Sequence, residues 1–329
     1  MTDPFRSAAR RLSAVARRGQ RIEALERRIV RMQKSIDRLY RRPSFDVRLN
    51  EERRLRKLEY ELGAPSRSVI AGGKFHVYDI VQSHGIAVPE QLGRWDDQAD
   101  IPWDDLPDSV VIKSAFGAGS RGVLMLRRVG DGWEVITRDV VLTSEQLVAD
   151  LAARREEDLA LPPFGAEEFL DDGSGGPPID VKVFAFYGET PLAMLRQVPR
   201  HGAADGARPP IRFVDVHGAD MPYSAARSPM KANIPLPVAM DELFDTAARI
   251  STFIRAPFAR IDMYDLQGRV VFGEVTPRPG MRGRFPPRLD AQLGDAWERA
   301  QVRLWRDIAG GMSPEPSWGP LRDQRGVSS

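Results

Sequence analysis

The first 42 residues carry an apolar period of seven. Branched apolar residues recur every seven positions, and a Leu or Met follows most of them by three; the set is Val15, Ile22, Leu25, Ile29, Met32, Ile36 and Leu39. β-Branched residues at a and leucine at d favour a parallel two-stranded coiled coil. We therefore expect homodimerisation through residues 12–42, which Pro43 ends because proline cannot continue a helix. A single amphipathic helix packed on its own body is the alternative.

A second helical pattern follows, and the chain then becomes mixed α and β. Leu55, Leu58 and Leu62 share one helix face, with Gly63 as the expected C-cap. Further helices are expected over 75–84, 144–151 and 240–255. Strands are expected over 110–114, 123–128, 135–137, 181–187, 191–197, 259–264 and 270–275, with Gln267-Gly268 as the turn between the last two. The pattern predicts an α+β fold with an N-terminal helical extension (1–62), a body (63–310) and a flexible tail (311–329).

Residues 1–42, called the arm below, differ in charge from the rest of the chain. Of 48 basic and 46 acidic residues, 13 basic and 4 acidic ones lie in residues 1–42. The arm therefore has a net charge of +9, and the remainder, with 35 basic and 42 acidic residues, has −7. A basic helical face is usually solvated, and contact with an anionic membrane or polymer is the alternative. Nucleic-acid binding is not expected.

Cysteine is absent, and no apolar segment is long. Without cysteine the chain forms no disulfide, thiolate nucleophile or cysteine metal site. No apolar run approaches the roughly 20 residues that span a bilayer, and the arginine-rich start lacks the apolar core of a signal peptide. We expect a cytoplasmic protein that is peripheral to a membrane at most.

Two segments have the composition of a nucleotide site. Lys113 leaves a strand just before the glycine-rich turn 117–122, where backbone N–H groups can approach phosphate oxygens. On its own, such a turn is more often only a turn. The acidic and apolar residues 167–170 precede a Gly/Pro-rich connector, and Asp180 and Lys182 follow it. These groups would bracket an adenine, a ribose and phosphates, unless they are an ordinary exposed acidic pair and a surface lysine.

A hairpin supplies a candidate metal site. Arg260, Asp262 and Tyr264 alternate along one strand face, and Glu274 and Thr276 lie on the next strand. If the strands pair in register, Asp262 and Glu274 approach each other, and two facing carboxylates repel unless a cation separates them. Such oxygen ligands suit Mg²⁺, which proteins usually hold by one or two carboxylates plus substrate phosphates. Two solvent-facing carboxylates are the alternative.

Arginines follow the hairpin directly. Arg278, Arg282 and Arg284 project from a Pro/Gly-rich loop, and Arg196 leaves an earlier strand. Arginine is suited to bidentate recognition of carboxylate and phosphate. The set predicts an anionic substrate pocket, unless these side chains are simply solvated.

Together these segments resemble the ATP-grasp enzymes, and more narrowly the TupA-like (teichuronopeptide biosynthesis) ATP-grasp family. The order of the motifs carries the resemblance: Gly73-Lys74-Phe75, Leu106-Pro107-Asp108-Ser109 before Lys113, Asp180-Val181-Lys182, Arg260-Ile261-Asp262 and Gly273-Glu274-Val275-Thr276. The resemblance implies an ATP-grasp fold, in which two α/β lobes grip ATP.

The resemblance also implies a role for each site residue. The nucleotide-binding set is Lys74, Lys113, Gly117, Gly119, Ser120, Gly122, Glu167, Glu168, Phe169, Leu170, Asp180 and Lys182. The catalytic set, which would face the transferred phosphate, is Lys182, Arg196 and Arg260. Asp262, Glu274 and Thr276 would hold Mg²⁺, with Thr276 standing where many ATP-grasp ligases have asparagine. Substrate would be bound by Arg278, Gly280, Arg282 and Arg284.

The implied activity is that of an ATP- and Mg²⁺-dependent carboxylate–amine ligase that forms an amide bond through an acylphosphate. Its substrates would be carboxylates and amines of small molecules, of a cell-surface glycopolymer or of a peptide-like metabolite. A phosphotransferase with the same ATP site and a coiled-coil scaffold with a degenerate nucleotide-binding domain are the alternatives. Residues 63–100 are too few for the complete N-terminal domain of larger ligases, so part of the substrate site must be built differently.

Overall fold

The computed structural model describes residues 21–32, 42–64, 72–117, 122–173, 178–197, 209–222, 233–280 and 285–322. The chain divides into two compact units, Met1–Ser44 and Phe45–Ser329. In the first unit, helix α1 includes residues 21–32, and its heptad residues Ile22, Leu25, Ile29 and Met32 are exposed. Val15, Ile36 and Leu39 lie outside the described residues. The coiled-coil dimer therefore stays a prediction.

Two antiparallel sheets form the framework of the second unit. The first sheet contains β1 (Gln91–Trp95), β2 (Ser109–Phe116), β3 (Val123–Val129), β4 (Gly132–Val135), β5 (Val140–Leu142) and β6 (Leu161–Glu168), in the order β1-β6-β2-β3-β4-β5. The second sheet contains β7 (Asp180–Phe186), β8 (Glu189–Arg196), β9 (Ile211–Val214), β10 (Ala259–Leu266) and β11 (Arg269–Thr276), in the order β11-β10-β7-β8-β9. Neighbouring strands are antiparallel in both sheets.

Five α-helices among the described residues cover these sheets. They are α2 (Phe45–Glu61), α3 (Gly73–Ser83), α4 (Ser144–Glu156), α5 (Met240–Phe253) and α6 (Pro287–Ala309). The first sheet forms an apolar core with α4, which starts at a capping box in which the Thr143 side chain accepts from the Gln146 backbone N–H. The second sheet packs α3 and α5 on one face and α2 and α6 on the other. Because α3 contacts both β2 and β11, it links the two sheets.

Helix α2 presents a different face to the body from the one expected. Leu55, Leu58 and Leu62 are exposed, whereas Phe45 and Leu49 are buried. The ring of Phe45 lies 5.0 Å from that of Phe258, centroid to centroid, and touches four more aromatic rings. A buried aromatic cluster of this size decides which face packs. Helix α2 accordingly belongs to the second compact unit, which begins at Phe45, and the domain division at residue 62 stays a prediction.

Several strands lie outside the expected set or are displaced from it. The expected strand over 135–137 ends at Val135, and residues 136–139 form a turn in which Asp139 has φ 55°. β1, β5, β6 and β9 were not expected from the sequence pattern. Proline weakens the strand signal of β6 because it lacks a backbone donor. Pro162 and Pro163 are accommodated at a break in register, since Ser114 pairs with Phe164 and Phe116 with Leu161.

The chain beyond Gly311, expected to be a flexible tail, packs on the body as far as Arg322. Trp318 contacts the core between α3 and α5 and lies 5.7 Å from the His76 ring. The backbone N–H of Leu321 donates to the carbonyl of Ser83, and that of Ser317 to the carbonyl of Phe253. Among the described helices, none combines the length and the apolarity that crossing a membrane requires.

Candidate active site

One face of the second sheet carries a row of charged side chains. Asp262 on β10 lies opposite Lys182 on β7 and opposite Glu274 on β11, and Asp180 lies opposite Arg196 on β8. Because strand side chains alternate, these residues share one face, and the intervening residues, such as Val181 and Ile261, fill the core beneath. A β-bulge between Asp262 and Met263 breaks the register of the hairpin, and with this shift the two candidate metal carboxylates lie at opposite positions.

Lys182 joins two of the carboxylates. Its ammonium lies 2.8 Å from Asp180 Oδ1 and also contacts Asp262 Oδ2. Asp180 is held from its other side by Arg196, whose Nε donates to Oδ2 at 2.9 Å. Lys182, Asp180 and Asp262 are all buried. Buried charges are tolerated only when they are paired, so this network fixes the three side chains.

Arg260 organises the opposite end of the row. Its guanidinium donates to both Asp262 oxygens at 2.7 Å, and one of the same nitrogens donates to Thr276 Oγ1 at 3.0 Å. Thr276 Oγ1 donates to Glu274 Oε1 at 3.2 Å. Burial alone would raise the pKa of Asp262, but Arg260 and Lys182 outweigh it and lower that pKa to about 2. Asp262 is therefore ionised at neutral pH.

A second charged group lies on the first sheet and α3. The ammonium of Lys113 on β2 contacts Glu167 Oε1 on β6 and donates to the Tyr78 hydroxyl at 2.8 Å. The Tyr78 hydroxyl in turn donates to Glu167 Oε2 at 3.1 Å. Burial tends to lower the pKa of Lys113, but the charge of Glu167 outweighs it, so the pKa of Lys113 is raised and the ammonium is retained.

Lys74 adds a further cation from the first turn of α3. Its ammonium donates to the carbonyl of Ser114 at 3.1 Å. Gly73, with φ 80°, starts the helix so close to β2 that a Cβ there would lie 3.2 Å from Ala115 Cβ. Burial lowers the pKa of Lys74, and Lys113 adds to the effect, while Glu274 and Glu167 oppose it. A partly desolvated cation of this kind attracts an anion strongly.

The two charged groups act on each other electrostatically. The pKa of Tyr264, on the same face of β10 as Asp262, is raised by burial and then by the charge of Asp180, while Lys113 of the first sheet opposes the rise. The charge of Glu274 on β11 also raises the pKa of Lys113. Five cations (Lys74, Lys113, Lys182, Arg196 and Arg260) and four carboxylates (Glu167, Asp180, Asp262 and Glu274) thus form one site across both sheets.

Sequence comparison identifies the family to which this site belongs. The family described as TupA-like ATPgrasp matches residues 54–298, which include all nine charged residues. The chain belongs to the TupA-like ATP-grasp family. The resemblance seen in the sequence motifs is thereby confirmed, and with it the ATP-grasp fold for this part of the chain.

Three solved structures are similar to this chain in fold. D-alanine–D-alanine ligase from Bacillus anthracis is 17% identical, with 77% of this chain and 76% of that chain covered and a TM-score of 0.47. VanG D-Ala:D-Ser ligase from Enterococcus faecalis is 13% identical, with 71% and 61% covered and a TM-score of 0.45. ATP-grasp ligase PsnB, complexed with a minimal precursor, is 14% identical, with 70% and 60% covered and a TM-score of 0.40. No curated protein matches the chain.

The glycine-rich turn of this ATP-grasp protein is described only at its two ends. Gly117 and Gly122 flank Ser114, whose backbone N–H donates to the Gly122 carbonyl at 2.8 Å. A Cβ at Gly122 would lie 2.0 Å from Ser114 Oγ, so a larger residue there requires the Ser114 hydroxyl to move. Gly119 and Ser120 lie outside the described residues, as do Arg282 and Arg284 of the expected substrate set.

The expected adenine segment begins with a residue that is engaged elsewhere. One carboxylate oxygen of Glu167 contacts the Lys113 ammonium, and the other accepts from the Tyr78 hydroxyl. Glu167 therefore pairs with Lys113 in this structure. Glu168 Oε1 accepts from the backbone N–H of Glu90 at 3.1 Å. Phe169 and Leu170 follow β6 and are half-buried. These last two keep apolar surface available to a flat ligand.

Arg278 and Gly280 lie in the loop after β11, and this loop contacts α2. Arg53 of α2 donates to the carbonyl of Pro279. Arg278 is half-buried, and burial lowers its pKa, with Arg56 adding to the effect and Glu52 opposing it. The half-buried residues Glu52, Arg53 and Arg56 of α2 therefore lie beside the expected substrate loop. The sequence analysis placed these residues in the N-terminal extension (1–62).

Tyr78 is the principal site residue that the sequence did not reveal. It is buried, and its hydroxyl joins Lys113 to Glu167. The available signal was its spacing from Lys74, since residues four apart lie on one helix face. A tyrosine at such a spacing is more often an ordinary core residue, so the pattern alone does not single it out.

The oxygen donors present suit Mg²⁺ in kind and in number. Among the described residues, no group of three or more His, Cys, Asp or Glu side chains is placed to hold a metal. Asp262 and Glu274 supply two carboxylates, which is the number proteins use when phosphates complete the shell. Glu274 is half-exposed, whereas both oxygens of Asp262 accept from Arg260 and one also contacts Lys182. The residues therefore fit Mg²⁺ together with a phosphate ligand rather than Mg²⁺ alone.

Proposed function

We propose that this ATP-grasp protein is a carboxylate–amine ligase that uses ATP and Mg²⁺. The observation that carries the proposal is the electrostatic interaction of Lys74 on α3 and Lys113 on the first sheet with Glu274 on the second sheet, in the charged row that also contains Lys182 and Arg260. Five cations suit a polyphosphate, and a facing pair of carboxylates suits the metal that accompanies it. The family match over residues 54–298 supports the same assignment.

The nucleotide would be held mainly through its phosphates and its base. Lys74 on α3 and Lys113 on the first sheet would approach the phosphates, beside the turn between Gly117 and Gly122. Phe169 and Leu170 would contact the adenine, and Asp180 the ribose. A ligand with several negative charges compensates the partly desolvated ammonium of Lys74, which a carbonyl oxygen alone does not neutralise.

Asp262 and Glu274 would hold Mg²⁺, with Thr276 as a third oxygen donor. The bound metal would neutralise negative charge on the β- and γ-phosphates as the γ-group is transferred. The Thr276 hydroxyl accepts from Arg260 and donates to Glu274. It would exchange the hydrogen bond from Arg260 for a contact with the metal.

The reaction would proceed in two displacements. An oxygen of the substrate carboxylate attacks the γ-phosphorus, the bond from that phosphorus to the β–γ bridging oxygen breaks, and ADP leaves. The amine nitrogen then attacks the acyl carbon of the acylphosphate, phosphate leaves, and the nitrogen loses a proton. Lys182, Arg196 and Arg260 would orient the transferred group and stabilise its charge, because fixed cations in a dry site need no reorganisation.

The substrates would come from a cell-surface glycopolymer or a peptide-like metabolite. Arg278 and Gly280 of the loop after β11, followed in the sequence by Arg282 and Arg284, would bind a carboxylate-bearing molecule. The basic arm, with its heptad pattern, would dimerise through residues 12–42 and contact an anionic polymer or membrane surface. A cytoplasmic location, peripheral to the membrane at most, follows from this proposal.

The proposal is tested by ADP release with pooled carboxylates and amines. We expect wild-type protein to release ADP and phosphate only when both pools are present. Glu274→Gln should abolish turnover while leaving the fold intact, as judged by circular dichroism. Glu298→Gln, which removes a half-exposed surface carboxylate paired with Arg48, is the matched control and should turn over normally. Retained turnover in Glu274→Gln contradicts the metal assignment, and a stable phosphorylated acceptor without amide favours a phosphotransferase.

A further inference from the structure

Tyr78 places a buried hydroxyl between two charged residues of the nucleotide site. The hydroxyl accepts from Lys113 at 2.8 Å and donates to Glu167 at 3.1 Å, and only 1% of the residue is exposed. Its ring packs edge-on against Phe272 on β11 and Phe75 on α3. The two displacements described above require no phenol, so the role of this hydroxyl must be sought in what it touches.

The three side chains form a closed triangle. Lys113 contacts Glu167 directly, and Tyr78 bonds to both of them. A lysine side chain has four rotatable bonds, and an ion pair alone leaves the ammonium free to swing around the carboxylate. A second fixed partner removes that freedom. Burial and the charge of Glu167 raise the pKa of Tyr78, so the phenol keeps the proton that it donates.

The same helix places a second cation. Lys74 lies one turn before Tyr78 on α3, and its ammonium reaches the carbonyl of Ser114, the residue after Lys113. The close approach of Gly73 to Ala115 sets the distance between the helix and β2. Tyr78 therefore ties the helix that carries one phosphate-binding lysine to the strand that carries the other.

We propose that Tyr78 is a positioning residue for nucleotide binding, which holds the Lys113 ammonium and the Glu167 carboxylate in the arrangement that receives the nucleotide. The inference rests on the proposed function, because it takes Lys113 to be a nucleotide ligand. Tyr78 acts through Lys113 and does not itself touch the reacting atoms.

Tyr78→Phe tests this role, since it removes the hydroxyl and keeps the ring. The dissociation constant of the ATP analogue AMPPNP, measured by titration calorimetry with Mg²⁺ present, should rise about fivefold, which is typical of one lost hydrogen bond. Tyr187→Phe is the matched control: it also deletes the hydroxyl of a buried tyrosine, which follows β7 at the end opposite Asp180 and donates to Asp307 on α6. Its dissociation constant should stay within twofold of wild type.

A double-mutant cycle separates positioning from a general structural effect. If Tyr78 acts through Lys113, Tyr78→Phe in a Lys113→Met background weakens AMPPNP no further than Lys113→Met alone. Additive losses, or an unchanged affinity in Tyr78→Phe, overturn the inference. A Lys113→Met protein that binds AMPPNP normally contradicts the proposed nucleotide site itself. If Tyr78→Phe fails to fold, Glu167→Gln replaces it, because this change weakens the interactions of Glu167 with Lys113 and Tyr78. An unchanged affinity for AMPPNP in Glu167→Gln also overturns the inference.

Discussion

Asp262 and Glu274 lie opposite each other on neighbouring strands, yet their surroundings differ. Asp262 is buried and accepts from both Arg260 and Lys182, whereas Glu274 is half-exposed and accepts only from Thr276 at hydrogen-bonding distance among the described residues, with Arg260 at 3.9 Å. The row around them contains three carboxylates and three cations, so it is balanced in charge. A metal ion that binds to Asp262 must therefore displace Arg260 or Lys182 from its carboxylate oxygens.

Metal binding should depend on nucleotide. Mg²⁺ alone would compete with Arg260 and Lys182 for Asp262, whereas phosphates offer these cations another partner and release the carboxylate. We expect titration calorimetry to detect Mg²⁺ binding at least tenfold tighter with ADP present than without it, after correction for Mg²⁺ binding to free ADP. Equally tight binding to the nucleotide-free protein would show that the Asp262 contacts offer no competition.

The two carboxylates should differ in their contribution to stability. Asp262→Asn leaves Arg260 and Lys182 as buried cations without their shared partner and should lower the free energy of unfolding by about 3–5 kcal/mol. Glu274→Gln, at a half-exposed position, should lower it by less than about 1 kcal/mol. Urea unfolding followed by circular dichroism measures both. A similar loss in both variants would contradict the difference in environment.

Asp262 should also make stability depend on pH. Its pKa in the folded protein is about 2, below the ordinary 3.8, so the unfolded chain binds the proton more readily. The stabilisation is therefore complete above about pH 4 and is lost as the pH falls toward 2. Urea unfolding between pH 2 and pH 6 should show this loss in the wild type. Asp262→Asn should lack that part of the pH dependence; an identical slope in both proteins would contradict the assignment.

Helix α2 should be integral to the body. Phe45→Ala removes a ring buried among five other aromatic rings and should cost about 3–5 kcal/mol. Leu55→Ala, on the exposed face of the same helix, is the matched control and should change stability by less than about 0.5 kcal/mol. Thermal unfolding of the two variants decides the point. Equal effects would mean that α2 belongs to the arm.

The sequence predicts the two strands and the turn of the β10–β11 hairpin well because their signals are local. Alternation along each strand gives the charged face, and Gln267 and Gly268 both adopt positive φ, at 53° and 98°, as a tight two-residue hairpin turn requires. A register counted from this turn alone pairs Asp262 with Gly273. A β-bulge between Asp262 and Met263 shifts the pairing by one residue and places Glu274 opposite Asp262, which the local pattern does not encode.

Other features depend on tertiary contacts that no local pattern encodes. Pro162 and Pro163 weaken the strand pattern of β6, so the sequence does not predict that strand. The buried face of α2 is determined by aromatic rings far along the chain, such as Phe258 and Trp297. The role of Tyr78 arises only when α3 packs on β2. Long-range packing of this kind overrides the periodicity of a short helix.

Transfer of oxygen from the acid to phosphate tests the central claim most directly. With an ¹⁸O-labelled carboxylate pool, unlabelled ATP and an amine pool, an acylphosphate route moves one labelled oxygen into the phosphate that is released. We predict ADP, an amide product and phosphate carrying one ¹⁸O, detected by mass spectrometry, and none of these from Glu274→Gln. Release of unlabelled phosphate together with amide, or of AMP in place of ADP, would contradict the account.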